Sequence, residues 1–178
     1  MRALMLETHG IVCLTYIDGV RELRLAVACF EEARRILDDE EEERDEYREY
    51  KTTSLLSLTA TAYCKLLDID RARAMWQEAI DKASCDEMCA GIHQNWGNFV
   101  GLFGGHWEEG HEHWQTSLAL YKQKSMLLAE ADGEADGAAQ RALERIDCNT
   151  SIANLMTHMV YYGQIIPQVR RASERGCV

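Results

Sequence analysis

Proline is almost absent from this sequence, and so is any pattern typical of β-strands. Pro167 is the only proline among 178 residues. No stretch alternates apolar and polar side chains over the length of a strand, whereas Ala, Leu and Glu are abundant. Because a chain of this length usually buries one core of ordinary size, we expect a single all-α domain over residues 1–178.

Positive charge is also scarce. The chain has 19 Lys and Arg residues against 30 Asp and Glu residues, so its net charge is −11. Nucleic acids and anionic membranes are bound by concentrated basic faces. Neither is therefore expected as the main partner, and a neutral or basic partner fits better.

Signals for secretion and membrane insertion are missing as well. The apolar run before Glu7 is too short for a signal peptide, and no later stretch approaches the ~20 apolar residues of a membrane span. The seven cysteines are odd in number and lack the spacing of a disulfide framework, which fits a reducing compartment. These absences predict a soluble cytoplasmic protein.

Motifs for enzymatic chemistry are lacking too. There is no glycine-rich phosphate loop, nucleophile elbow or Ser/His/Asp order, so we expect neither catalysis nor a cofactor. Two clusters keep a metal-dependent enzyme or metal sensor open as an alternative. The first consists of Cys85, Cys89, His93 and Cys148. The second consists of His106, His111 and His113 with Glu108, Glu109 and Glu112. Packing and surface roles are expected for both clusters, so no metal is predicted.

What the sequence does contain is a helical hairpin over residues 56–83. It consists of two short amphipathic helices joined at residues 67–69. In the second helix Ala72, Trp76 and Ala79 stand at i, i+4 and i+7, so one stripe presents a small, a very large and a small side chain. Small residues let two helix axes approach closely, and an aromatic ring fills the groove beside the contact.

This hairpin resembles a tetratricopeptide repeat. The family has a large, a hydrophobic, a small and an aromatic residue on its first helix, followed by Ala, an aromatic residue and Ala on its second. In this sequence those roles fall on Leu56, Thr59, Ala60, Tyr63, Ala72, Trp76 and Ala79. Thr59 departs from the family's usual Leu. The resemblance implies an α-solenoid of stacked antiparallel hairpins, because one hairpin cannot bury its stripe alone.

Three other stretches repeat the pattern less completely. The upstream stretch has Phe30 between two alanines, the third copy carries Gly97 and Trp114, and a fourth would have a last helix beginning at Pro167. We therefore expect three to four hairpins. The predicted repeats cover residues 3–37, 53–84, 90–125 and 148–176, with a linker at 132–137.

The resemblance also implies where a ligand would bind, since the first helices of such repeats line a concave groove. The predicted groove residues are Ser57, Thr61, Lys65, Gln94, Asn95, Asn98, Leu102 and Tyr161. The run Asn95-Trp96-Gly97-Asn98 is similar to an Asn-Leu-Gly-Asn run of peptide-binding members, whose amides bond the ligand's backbone. An Asn amide can equally bond a neighbouring helix, and the sequence favours neither role.

Together these patterns predict a protein-interaction module, an adaptor or scaffold. Its expected partner is a neutral or basic peptide segment of another protein, because the field of an acidic chain disfavours an anionic one. The alternative within binding proteins is a fixed subunit of a larger assembly, whose groove is filled by a neighbouring chain.

Overall fold

The computed structural model describes residues 1–16, 19–39, 46–102, 104–130 and 138–174. The helices are α1 (Arg2–Tyr16), α2 (Val20–Asp39), α3 (Glu46–Lys65), α4 (Ile69–Lys82), α5 (Asp86–Leu102), α6 (Trp107–Glu130) and α7 (Ala138–Glu174). No strand occurs in these ranges, and the all-α class is confirmed. None of the described helices is long and apolar enough to cross a membrane. The predicted linker at residues 132–137 lies outside the described residues.

The first hairpin consists of α1 and α2. Phe30 is fully buried, as are Ala26 and Ala33 on the same stripe of α2. The Phe30 ring lies so close to the backbone of α1 that a Cβ atom on Gly10 would stand 2.4 Å from it. The small, aromatic, small spacing predicted for the upstream copy therefore does face the opposite helix.

The second hairpin, α3 and α4, buries the predicted stripe of Ala72, Trp76 and Ala79. The fully or almost fully buried residues are Leu56, Ala60, Ala72, Trp76 and Ala79, and Tyr63 is half-buried. Between the helices Leu67 adopts a left-handed backbone conformation with φ of 62°. The Asp68 carboxylate then accepts a hydrogen bond of 3.3 Å from the Arg71 amide and caps α4.

In the third hairpin α5 and α6 make a very close contact. A Cβ atom on Gly97 would lie 2.5 Å from the Trp114 ring, and one on Gly110 would lie 2.9 Å from the Cα of Gly101. Trp114 itself is 1% exposed. Glycine at these positions therefore sets the distance between the two helix axes.

Replacing Gly110 with alanine is expected to destabilise the protein by up to about 2 kcal/mol. The added Cβ atom would meet the backbone of α5, which cannot move aside as a flexible side chain can. Such overpacking costs ~1–3 kcal/mol, and this cost outweighs the ~1 kcal/mol that alanine gains over glycine in a helix. Gly91→Ala is the matched control, since the nearest atom to its Cβ is the Tyr121 hydroxyl at 3.9 Å. Urea unfolding should show a loss for Gly110→Ala and none for Gly91→Ala. Equal effects would contradict the close contact.

The seventh helix corrects the predicted fourth hairpin. We expected a last helix beginning at Pro167, but α7 continues from Ala138 to Glu174 without a break. Gly163 alone is a weak stop signal in a helical pattern. A proline inside a helix removes one hydrogen bond but does not have to end the helix. The segment at residues 148–176 is thus part of one long helix up to Glu174.

Two helices, α3 and α5, lie between neighbouring cores. On one side α3 contributes Leu55 and Ala62 to a core with α1 and α2, and on the other side Leu56 and Cys64 to a core with α4 and α5. In the same way α5 contributes Trp96 to the second core and Ala90 to a third core with α6 and α7. Little of α3 therefore remains open to solvent, and its opening toward α5 forms the candidate site.

Candidate functional site

A cleft of about 490 Å³ opens between the N-terminal halves of α3 and α5. From α3 it is lined by Tyr50, Thr53, Ser54, Ser57 and Leu58. From the α5 side it is lined by Cys85, Glu87, Met88, Gly91, Ile92 and Asn95. These residues recur at intervals of three and four, so they form one stripe on each helix. The cleft is therefore a groove between two packed helices.

The lining is almost free of charge. Of the eleven lining residues only Glu87 is ionisable at neutral pH, and its carboxylate is paired with Lys124 of α6. Leu58, Met88 and Ile92 supply apolar surface, and Tyr50 is 53% exposed at the rim. A mostly apolar cleft with a few polar groups is the usual form of a binding site.

Thr53 gives the cleft an unpaired polar group. Its side chain is only 2% exposed, and its hydroxyl has no hydrogen-bond partner among the described residues. Thr59 and Thr61 on the same helix donate to the carbonyls of Leu55 and Ser57, one turn earlier. Because a buried unpaired hydroxyl costs free energy, Thr53 marks a place where a ligand could supply the missing partner.

The predicted groove residues differ in their exposure and in whether they line the cleft. The prediction that Ser57 and Thr61 are exposed is wrong, since they are 6% and 5% exposed. Both lie on α3, which is enclosed by neighbouring helices on two sides. Ser57 nevertheless lines the cleft, where its hydroxyl accepts a hydrogen bond of 3.3 Å from the Asn95 amide. Asn95 is exposed and also lines the cleft, whereas Gln94 beside it is half-buried and not part of the lining.

Lys65 and Asn98 bond the protein itself. The Lys65 ammonium group donates to the Leu14 carbonyl at 2.8 Å, where it satisfies the C-terminal end of α1. The Asn98 side-chain oxygen accepts a hydrogen bond of 2.8 Å from the Trp114 indole. Of the two roles open to Asn98, the bond to a neighbouring helix is the one that the structure contains. The side chains of Leu102 and Tyr161 lie outside the described part of the chain.

Nine of the eleven lining residues were not predicted as groove residues, among them Thr53, Ser54, Met88 and Gly91. A signal for them is present in the sequence, because residues 52–64 contain no Asp, Glu, Lys or Arg and neither do residues 88–107. In a chain with 28% charged residues, two such runs on neighbouring first helices indicate an uncharged surface between them. The cleft thus lies on two of the helices for which a groove was predicted, about two turns nearer the N-terminus of α3.

The two predicted histidine and cysteine clusters do not assemble as metal centres. Among the described residues no group of three His, Cys, Asp or Glu side chains is placed to hold a metal ion. Cys85 is exposed and Cys148 is buried in the third core. The alternative of a metal-dependent enzyme or sensor therefore has no ligand set in this part of the chain.

His93 and His113 instead form a buried pair across the third hairpin. Their Nδ1 atoms are 2.8 Å apart, so one ring donates a hydrogen bond to the other. The two rings stack at 5.0 Å between centroids, and His113 stacks on Trp96 at 4.0 Å. Burial lowers the pKa of His93, and burial together with His93 lowers the pKa of His113 to about 4. Both rings are thus uncharged at neutral pH.

Glu109, in the first turn of α6, links three helices beside this pair. Its carboxylate accepts hydrogen bonds from the Arg73 guanidinium of α4 (Nε to Oε1, 2.9 Å) and from the Trp96 indole of α5 (3.0 Å). The hydrogen bond from Arg73 is the main reason that the pKa of Glu109 lies below its ordinary value. This contact holds the second and third hairpins together. The Glu109 carboxylate, the Arg73 guanidinium and the Trp96 indole are thus hydrogen-bonded within the protein.

Comparisons of this chain with protein-family models, with curated proteins and with solved structures give no match.

Proposed function

We propose that this protein is an interaction module, built from tetratricopeptide-like hairpins, which binds a neutral or basic peptide segment of another protein in the cleft between α3 and α5. The observation that carries the proposal is the uncharged cleft with the unpaired Thr53 hydroxyl beside it. Three successive helical hairpins with small, aromatic, small stripes support the repeat interpretation.

The size of the cleft fits a few side chains and not a large rigid ligand. At about 490 Å³ it lies within the ~300–1,000 Å³ of ordinary ligand sites. Apolar side chains of a peptide would cover Leu58 and Ile92, while its backbone groups would meet Thr53 and Asn95. The acidic chain around this neutral cleft disfavours an anionic segment.

Affinity selection from a library of random peptides tests the proposal. Ser54→Phe fills the cleft, and Thr116→Phe makes the same kind of change at an exposed position of α6. Peptides selected on the wild-type protein are expected to bind Ser54→Phe about tenfold more weakly or worse and Thr116→Phe equally well. Circular dichroism of both variants establishes that they are folded. Selected peptides that bind both variants equally would place the binding site elsewhere, and strongly acidic peptides would contradict the expected charge.

Thr53→Val is expected to separate stability from binding. Valine has the shape of threonine without the hydroxyl, so the free energy of unfolding should stay unchanged or rise by up to ~1–2 kcal/mol, since an unpaired buried group is removed. Affinity for the selected peptides should fall, because a hydrogen-bond partner is lost. Thermal unfolding and calorimetry measure the two quantities. A variant that is less stable and binds normally would mean that the hydroxyl serves the fold.

A further inference from the structure

Helix α7 has two faces of opposite character. Toward α6 it buries Cys148 and Leu155 in the third core, with Ile152 and Met159 packed beside them. The opposite face carries an exposed stripe, which we call the outer stripe. It consists of Leu143, Ile146, Thr150, Ala153, Thr157 and Val160.

The outer stripe lacks the charges that a solvent-facing helix normally has. Residues 148–169 include no Asp, Glu, Lys or Arg, although 28% of the whole chain is charged. Leu143, Ile146 and Val160 are each about 60% exposed. A solvent-facing helix normally carries charges on its outer side, whereas a helical stretch without charge on any side is typical of one covered by protein. The composition of α7 thus points to a covered outer stripe.

The spacing of the outer stripe is that of a coiled-coil seam. Its residues follow one another at alternating intervals of three and four, as the core positions of a heptad do. They extend from Leu143 to Val160, a rise of ~26 Å along the helix. The exposed apolar residues of α1, from Leu4 to Val12, extend over only ~12 Å. Of these two exposed faces, α7 offers the longer one to a partner helix.

The outer stripe is also complementary to itself when two copies run antiparallel. About a point between Thr150 and Ala153, Leu143 lies opposite Val160 and Ile146 lies opposite Thr157. The small central pair, Thr150 and Ala153, lets the two axes approach, and the larger residues close both ends.

The distribution of charge favours the same antiparallel contact between two outer stripes. Two chains of net charge −11 repel each other over most of their surfaces, so a contact between copies requires an uncharged patch on both. Asp147 is the one charged residue beside the stripe between Ile146 and Val160, and in the antiparallel register it meets the uncharged Asn154 and Met156 of the second copy. We propose that two copies of this chain associate through the outer stripes of α7, with the helices antiparallel. Such an interface is isologous, the commonest form in homo-oligomers.

Sedimentation equilibrium of the purified chain tests the association. At about 100 µM, a concentration that populates even a weak dimer, the wild-type mass should be twice the chain mass of 20.3 kDa. Ile146→Arg places a charge within the seam and should raise the dissociation constant about tenfold or more. Ile11→Arg on α1 is the matched control and should leave it unchanged. A monomeric wild-type protein overturns the proposal, and so does a dimer that Ile11→Arg dissociates and Ile146→Arg does not.

A mixing experiment tests the orientation. Thr150→Glu and Ala153→Lys are each expected to weaken the dimer, because each variant places one unpaired charge per chain in the buried seam. Mixed in equal amounts, they should associate again, since residue 150 of one copy lies opposite residue 153 of the other. In a parallel pair each residue would meet its own equivalent, and mixing would restore nothing. Failure of the mixture to associate overturns the antiparallel arrangement. Both positions are exposed in the single chain, so circular dichroism should show unchanged folding.

Discussion

Replacing Trp76 with alanine is expected to lower the free energy of unfolding by about 3–5 kcal/mol, the usual cost of deleting a large core aromatic side chain. Trp76 is fully buried and stacks on Trp96 of α5, with ring centroids 5.6 Å apart. The substitution would leave a cavity in the core shared by α3, α4 and α5. Urea unfolding followed by circular dichroism measures the loss. Near wild-type stability would show that α4 does not pack on α5 as described.

Trp76→Phe is the control for this prediction. Phenylalanine keeps most of the ring contact, and it removes an indole N–H that has no hydrogen-bond partner among the described residues. The free energy lost should therefore be clearly smaller than for Trp76→Ala. A loss as large as that of the alanine variant would indicate that the indole N–H has a partner which matters for stability.

Mild acid is expected to destabilise the protein through the histidine pair. The pKa of His113 falls from its ordinary 6.5 to about 4 in the folded chain. Between pH 6.5 and about pH 4, His113 is therefore protonated in the unfolded chain but not in the folded chain. The free energy of unfolding consequently falls as the pH drops through this window. The full shift corresponds to ~3 kcal/mol, and solvent at the half-buried ring reduces this to about 2 kcal/mol. His93, whose pKa is also lowered, adds in the same direction.

Glu109 extends the loss to lower pH. Its pKa is depressed below 4.5 by Arg73, so the stability it contributes is present above about pH 4.5 and is lost as the pH falls through its folded value. Near His113 this carboxylate opposes the shift in part, since it favours the charged ring. The net prediction remains a fall in stability between pH 6.5 and pH 4, because burial has the larger influence.

His113→Phe should flatten the pH dependence in this window. The variant keeps an aromatic ring on Trp96 but has no proton to take up. His111→Phe is the matched control, because His111 is exposed on the same helix. The free energy of unfolding at pH 7, 6, 5 and 4 gives the slope. An identical slope in wild type and His113→Phe would exclude this pair as the cause.

The sequence was sufficient to predict the all-α class and the buried stripes of the first three hairpins. The hairpin predicted over residues 56–83 lies in α3 and α4. The stripe of Ala72, Trp76 and Ala79 is buried because helical periodicity determines which side chains share a face. Predictions of this kind depend only on the side chains of one helix. They are correct wherever the spacing within that helix decides which side chains are buried.

The candidate site could be predicted only in part, because it depends on helices far apart in sequence. Thr61 is buried since α3 has neighbours on two sides, which no spacing within α3 reveals. Lys65 is held by a carbonyl at Leu14, and Asn98 by the indole of Trp114. Those partners lie 51 and 16 residues away, and a single sequence contains no signal for such pairs.

The contact that Glu109 makes with α4 and α5 has a consequence for how the chain opens locally. Because one carboxylate of α6 bonds both helices, opening α4 removes a bond that helps to hold Glu109 against Trp96 of α5. Backbone amides in α4 and α5 should therefore exchange their hydrogens in one cooperative step, with similar protection. Glu109→Gln weakens the bond to Arg73, and it should divide the common step into two.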